Sequence, residues 1–245
     1  MSDDILQIET IGEIQRVTMN RPDRLNAINH PMAEQLLAYF EARRRDTAVR
    51  VIILRGAGRG FTAGADLKAM GQPDMLRDGP NGDWVLRDTM NAMRACPQPI
   101  IATVHGAAAG GGLALALACD VLVAGESAKF HSAFLKIGLS GTELGVSWRL
   151  QRAIGTSRAR EILLTGRPVD AQEALRIGLV SQVVPDTGMD ELGLSLGKAM
   201  LDAKPDALRL TKRALDAALE IGNYGTALET EERGQMLMIN RRTKG

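Results

Sequence analysis

Two glycine-bearing turns carry most of the chemistry this chain can do. The first is Phe61-Thr62-Ala63-Gly64-Ala65-Asp66, and the second is His105-Gly106-Ala107-Ala108-Ala109-Gly110-Gly111-Gly112. Each follows an apolar strand-like run and precedes a helical pattern, an arrangement that can aim two backbone N–H groups at one oxygen. A reaction passing through an enolate or a tetrahedral oxyanion requires such a pair, because dipoles already fixed in place stabilise developing charge without reorganising. The residues therefore point to an enzyme. Within the second turn three consecutive glycines permit close backbone approach, and Leu113 to Ala118 reads as a buried helix whose N-terminus favours negative charge. Tight packing of that helix on a sheet explains the same glycines equally well, and the residues alone leave both explanations open.

Other glycine chemistry does not fit. Gly56-Ala57-Gly58-Arg59-Gly60-Phe61 begins like a dinucleotide fingerprint, but Phe61 stands where the third glycine would be. No glycine run ends in Gly-Lys-Ser/Thr, so a phosphate-cradling P-loop is absent. Cys96 and Cys119 lack CxxC spacing, and His30, His105 and His131 show no ligand pattern, so no metal site is expected and the thiols read as buried and free.

The elements that must position the turns follow from periodicity. Residues 5 to 20 alternate about Ile11-Gly12, the signature of an antiparallel hairpin, and Pro31 to Arg45 has helical spacing. Val49 to Leu54, Ile100 to Val104, Val121 to Ala124 and Leu179 to Val184 are short β-branched runs separated by helical stretches, which predicts a mixed α/β core. After Pro185 only helices are expected: 192 to 203, 206 to 220 behind Pro205, and 224 to 240. Their apolar faces must pack on the core or on another subunit. Residues 71 to 83, rich in turn formers and charge, form the one conspicuous loop, placed either over a site or as a plain surface connection.

Composition narrows the partners. At 245 residues and 45% hydrophobic content the chain can bury a full core. A net charge of +1 gives no field to hold nucleic acid or a membrane surface, and 3% aromatics leaves little for base stacking. The acidic start Met1-Ser2-Asp3-Asp4 and the lack of any apolar run near the roughly 18 residues of a membrane span make the cytoplasm the expected location.

Phe61-Thr62-Ala63-Gly64-Ala65-Asp66-Leu67-Lys68, with the run from His105 through Gly112 to Ala118-Cys119-Asp120, resembles the crotonase (enoyl-CoA hydratase/isomerase) superfamily. Asn20-Arg21-Pro22 through Leu25-Asn26-Ala27, Leu164-Thr165-Gly166 with Ala171 to Val180, and Lys212-Arg213-Ala214-Leu215 extend the likeness over nearly the whole chain. The resemblance implies a spiral of repeated β-β-α units over residues 1–188 that holds an acyl-CoA site. It also implies a C-terminal helical oligomerisation region over 189–245, giving a homotrimer or a dimer of trimers. It puts the two oxyanion donors on the N–H groups of Ala65 and Gly111, and the coenzyme beside Arg24, Ala27, Ala63, Asp66 and Leu67. Arg24 also reads plainly as a solvated cation. No prosthetic group is implied; coenzyme A enters as part of the substrate.

The acid–base residues depart from the hydratase pattern. Family hydratases carry one glutamate two residues after the glycine triplet and a second further on, and here those positions hold Ala114 and Phe134. Glu143, four residues before Ser147, falls where isomerase-like and dehalogenase-like relatives carry a single functional carboxylate. It interrupts an apolar, glycine-rich stretch, and burial there would raise its pKa towards a range useful for proton transfer. Capping the helix that follows is the alternative duty. One carboxylate suffices to shuttle a proton between C2 and C4, so double-bond isomerisation of an enoyl-CoA is expected. Hydration of a 2-enoyl-CoA, thioester hydrolysis or dehalogenation, and a non-catalytic acyl-CoA-binding subunit are the alternatives. His131 and Ser132 read as structural or as holding a water.

Overall fold

The chain opens with β1 (Leu6–Ile11) and β2 (Ile14–Met19), paired antiparallel through a turn in which Gly12 takes a φ of +61°. This computed structural model describes residues 4–68 and 85–242, so the loop expected at 71–83 lies outside the described residues. From β2 onward every pairing in the main sheet is parallel: β3 (Val51–Gly56), β4 (Ile100–Val104), β6 (Val121–Gly125) and β9 (Gln182–Val184) complete the order β1-β2-β3-β4-β6-β9. Val51 to Leu54 and all of β4 are buried on both faces, which is why these strands read as continuous apolar runs rather than alternations.

Helices cover both faces. Against one lie α1 (His30–Arg43), α2 (Val85–Ala95) and α3 (Gly111–Ala118), with α4 (Val146–Ile154), α5 (Thr156–Thr165) and α6 (Ala171–Arg176) extending the same apolar core. On the other lies α7 (Met189–Leu201), whose Met189 joins Ile14, Val51, Ile53, Ile101 and Val123 in a second cluster. Gly193 and Gly197 permit that approach: a Cβ on Gly197 would stand 2.9 Å from the Ile14 side chain. Two further helices, α8 (Pro205–Ala218) and α9 (Tyr224–Arg242), follow. No helix among the described residues is long and apolar enough to cross a membrane, and Cys96 and Cys119 are buried free thiols.

The architecture agrees with the expected α/β spiral and its helical C-terminal region, with two differences in detail. Leu179 and Val180 are buried in a turn after Gly178 (φ +79°), so only Gln182–Val184 of that apolar run pairs as a strand. A second sheet of three short strands was also not expected: β5 (Ala107–Ala109), β7 (Lys129–His131) and β8 (Pro168–Asp170), in the order β5-β7-β8. An all-alanine β5 carries no strand propensity, and it is extended because its neighbours supply hydrogen bonds.

One buried amide organises the turn after β3. Asn26 is fully buried in the left-handed region (φ +53°); its Oδ1 accepts the Arg21 N–H (2.9 Å), and its Nδ2 donates to the carbonyls of Ala57 and Gly60 (both 2.8 Å). Its own carbonyl accepts the Thr62 hydroxyl at 2.7 Å. Removing the amide would leave several buried backbone groups without partners. We expect Asn26→Ala to lose about 3 kcal/mol of stability in urea unfolding, the scale set by such unsatisfied groups; a loss below about 1 kcal/mol would show that the loop does not depend on it.

Candidate active site

The two glycine turns are stitched together. Phe61 N–H donates to His105 O (2.7 Å), Thr62 N–H to Ala107 O (2.9 Å) and Ala109 N–H to Thr62 O (3.1 Å). On its other side the first turn pairs with the segment after Asn26: Ala63 N–H to Leu25 O (2.9 Å), Ile28 N–H to Gly64 O (2.7 Å) and Asp66 N–H to Ile28 O (2.9 Å). Both ladders skip Ala65 and Gly111. Neither N–H donates to any acceptor among the described residues.

Those two free donors are close neighbours. A Cβ on Gly111 would lie 3.8 Å from the Ala65 nitrogen, and one on Gly64 would lie 3.2 Å from the Gly111 nitrogen. Glycine is required at 64, where φ is +87° and a Cβ would come within 2.3 Å of the Ala109 carbonyl. Gly112 presses likewise on the Thr62 carbonyl. Close packing and a paired-donor geometry therefore arise from the same glycines, rather than competing as explanations. Gly111 is also the first residue of α3, so its N–H points out of the positive end of that helix.

The residues expected around the coenzyme gather along one edge, because the 25–28 segment pairs with 63–66. Leu67 is 54% exposed, and Arg24, in a short 3-10 turn (Pro22–Arg24), is exposed with no ion pair among the described residues. Ala27 and Ala63 are partly exposed between them. Asp66 has its carboxylate engaged by Arg21 (3.0 Å) and by the Lys68 N–H (3.3 Å), so that side chain clasps the turn.

Glu143 lies in the stretch before α4, half-buried, beside Ala114, Leu144, Gly145 and Trp148 in a cavity of about 500 Å³. It does not cap the helix. Gly145 is the N-cap residue, no side chain bonds there, and the Glu143 side chain has no hydrogen-bond partner among the described residues. Burial pushes its carboxyl above the ordinary glutamate range. Leu144 (φ +52°) and Gly145 (φ +81°) both adopt left-handed backbone, a costly turn for leucine. That twist brings the Leu144 Cδ1 to 3.8 Å from where a Cβ on Gly111 would be. Upstream, the fully buried Ser132 donates its hydroxyl to Gly141 O (2.9 Å) and His131 Nε2 sits 2.7 Å from Gly166 O. Ser132 thus holds the backbone that leads to Glu143, and His131 holds the end of α5.

No acid stands at the two hydratase positions. Ala114 is buried one turn after Gly111, and the Phe134 ring packs 3.6 Å from a notional Cβ on Gly110. Sequence reasoning missed what α8 contributes to the cavity wall. Asp216 lines it, half-buried, its carboxyl pushed up by burial first and by Asp120 second. Lys212, buried, donates to Asp120 (2.8 Å) and to Gln98 O (3.0 Å), locking α8 onto the turn after α3. These are polar positions on an amphipathic helix, and nothing local in the sequence distinguishes them from solvated ones.

The family profile described as Enoyl-CoA hydratase/isomerase matches residues 9–244. The chain belongs to that family. Among its relatives, the "Probable enoyl-CoA hydratase EchA12" of Mycobacterium tuberculosis is 40% identical over 232 residues, covering 92% of this chain and 81% of that one. The 1,2-epoxyphenylacetyl-CoA isomerase of Escherichia coli is 34% identical over 230 residues, covering 91% and 86%. A solved structure of a monofunctional enoyl CoA isomerase from M. smegmatis is 41% identical with a TM-score of 0.80, covering 91% of this chain and 98% of that one. Membership in the hydratase/isomerase family makes the chain an enzyme of that type, with a CoA thioester as its class of substrate.

Gly111→Pro tests the second donor cleanly, because proline fits the first position of a helix while removing the N–H. Turnover should fall roughly 10²- to 10³-fold with circular dichroism unchanged. Gly111→Ala keeps the N–H and controls for crowding, since its Cβ would meet Leu86 at 3.1 Å. A folded proline variant with near-normal turnover would remove Gly111 as a donor.

Proposed function

We propose that this enzyme isomerises enoyl-CoA thioesters, moving the double bond from C3–C4 to C2–C3. The Ala65 and Gly111 N–H groups hold the thioester oxygen, and Arg24, Ala27, Ala63, Asp66 and Leu67 line the edge that receives the coenzyme. The Glu143 carboxylate takes a proton from C2, the electrons pass into a dienolate whose oxygen the two donors stabilise, and the protonated Glu143 returns the proton to C4. What supports this reading is Glu143 itself: a partnerless carboxyl in the cavity, with Ala114 and Phe134 where a second acid would have to be. The family's hydratase-named members favour a second reading, hydration of a 2-enoyl-CoA. Glu143 would then have to activate the water and also supply the C2 proton.

Glu143→Gln separates binding from chemistry. Acyl-CoA affinity should persist while turnover falls by roughly 10²- to 10⁴-fold. In deuterated water the 3-enoyl substrate should give the conjugated 2-enoyl product with incomplete label uptake, reporting return of the same proton. Accumulation of 3-hydroxyacyl-CoA without isomerisation would establish hydration instead. Because proton abstraction needs the ionised carboxyl and burial raises its pKa, kcat/KM should drop as pH falls through a value above the ordinary glutamate range. The sign for stability is opposite: the folded state favours the proton, so ionisation at neutral pH opposes folding and Glu143→Gln should melt no lower than the parent at pH 7.

Assembly is part of the same proposal. On α8 and α9, Leu215 is 65% exposed, Tyr224 82% and Leu237 55%, apolar surface that a single chain leaves uncovered. We assign this region, within 189–245, to a homotrimer or a dimer of trimers. Light scattering at micromolar concentration should report at least a threefold multiple of the 26.4 kDa chain mass, and a single species near that mass would contradict it.

A further inference from the structure

Among the described residues seven polar side chains line the cavity that holds Glu143, and most are already satisfied. Arg94 pairs with Glu220 and lies over the Trp148 ring, 4.8 Å from its centre. Arg149 donates to the carbonyls of Leu117 (2.6 Å) and Cys119 (2.9 Å). Arg87 reaches its neighbour Asp88, and Asp120 accepts from Lys212 and from the Ile100 N–H (2.7 Å). Setting Glu143 aside for the chemistry leaves Asn91 on α2 and Asp216 on α8, neither with a hydrogen-bond partner among the described residues. Asn91 is exposed, whereas Asp216 is partly enclosed.

A hydrocarbon tail filling this space would strip water from the Asp216 carboxylate and give nothing back. A tail bearing a hydroxyl would donate to it, with the Asn91 amide able to donate to that hydroxyl in turn. A site that presents an unpaired acceptor rejects the analogue lacking a donor far more strongly than an apolar pocket rejects one extra group. In this cavity the two guanidinium groups beside Asp216, on Arg94 and Arg149, are occupied, so an anionic tail there would meet a carboxylate with no unpaired cation among the described lining residues. We propose that Asp216 is a specificity-determining residue that selects acyl-CoA thioesters whose tails carry a hydroxyl or similar hydrogen-bond donor. This rests on the reading of the cavity as the acyl site, and it names the substrate class for that site.

The burial that raises the Asp216 pKa agrees with a carboxyl in want of a donor. A second cavity of about 690 Å³ shares Arg94 and Asp216 and is lined by further cations, Arg44, Arg209, Lys212 and Arg213, beside Asp206 and apolar residues, so a preference for an anionic tail is the outcome to test against.

The experiment is equilibrium binding, by calorimetry, of saturated acyl-CoA thioesters that cannot be turned over. Chains of increasing length ending in methyl, hydroxyl or carboxylate are compared on the full-length protein, its Asp216→Leu variant and its Asp216→Asn variant. At the length that reaches Asp216, the hydroxyl-ended thioester should bind the parent protein at least about tenfold more tightly than the methyl-ended one. Asp216→Leu should abolish or invert that ratio, and Asp216→Asn, which keeps an acceptor, should retain part of it. Equal affinities at every length, a preference for the carboxylate, or an unchanged ratio in a folded Asp216→Leu variant would each overturn the proposal. Turnover of the matching 3-enoyl thioesters is measured separately. Hydroxyl-selective binding without isomerisation would reject the isomerase reading and leave this one intact.

Discussion

The structure depends on how closely the backbone of residues 61–65 approaches that of 105–112. No side chain fits between them: a Cβ at 64, 106 or 112 would collide with backbone across the gap. The three inter-turn hydrogen bonds close that gap, and once they are made the chain geometry decides which amides stay unpaired. Extended segments alternate the direction of their N–H groups, so pairing Thr62 and Ala109 inward leaves others pointing away, and the start of α3 adds an amide that no helix can satisfy from within. Two neighbouring unpaired amides thus result from topology rather than from any side chain. Such donors cost no reorganisation when charge develops before them.

Support for that approach comes from Asn26, which ties the loop after β3 to the segment after β2 and is held in left-handed backbone to do so. Leu144 has the same backbone conformation on the opposite wall. Among the described residues three non-glycine positions have positive φ, Leu25 and Asn26 behind the turns and Leu144 beside Glu143, and they mark where the chain accepts local strain to fix geometry. Next to the strained Leu144, Glu143 lines the cavity and makes no cap on the helix it precedes. An uncapped helix start and a partnerless, half-buried carboxyl are both unfavourable locally, and they persist because the surrounding packing determines them.

Much of this was legible in the sequence, for reasons that differ from part to part. The hairpin, the buried strands and the C-terminal helices announce themselves through periodicity, which is a local property. The glycine turns are legible because only glycine tolerates what Gly64 and Gly110 do. By contrast β5, β7 and β8 are three residues each, too short to show a period, and exist only through their partners. Asn26 could be noted as part of a motif, yet its role as a buried connector to Ala57 and Gly60 depends on residues more than thirty positions away. Asp216 is the same case at larger separation: its neighbours in the cavity come from α2, α3 and α4, and its own helix gives it an ordinary polar position.

The position of α8 couples the two ends of the molecule. Lys212 fixes the helix to Asp120, and that carboxylate also accepts the Ile100 N–H at the start of β4, so one acid joins α8, the end of α3 and the central sheet. Arg94, reaching from α2 to Glu220 just past α8, makes a second tie across the cavity. This ion pair is enclosed on the Lys212 side only, with Asp120 open to solvent, so it contributes little net stability. Its value lies in register: sliding α8 by one turn would unpair Lys212 and move Asp216 off the cavity wall together. The same helix carries Leu215 on its outer side, 65% exposed, adjacent in sequence to Asp216. Whatever covers that outer face therefore bears on a helix whose inner face shapes the cavity, so the assembly face and the acyl-recognition residue proposed above share a single helix.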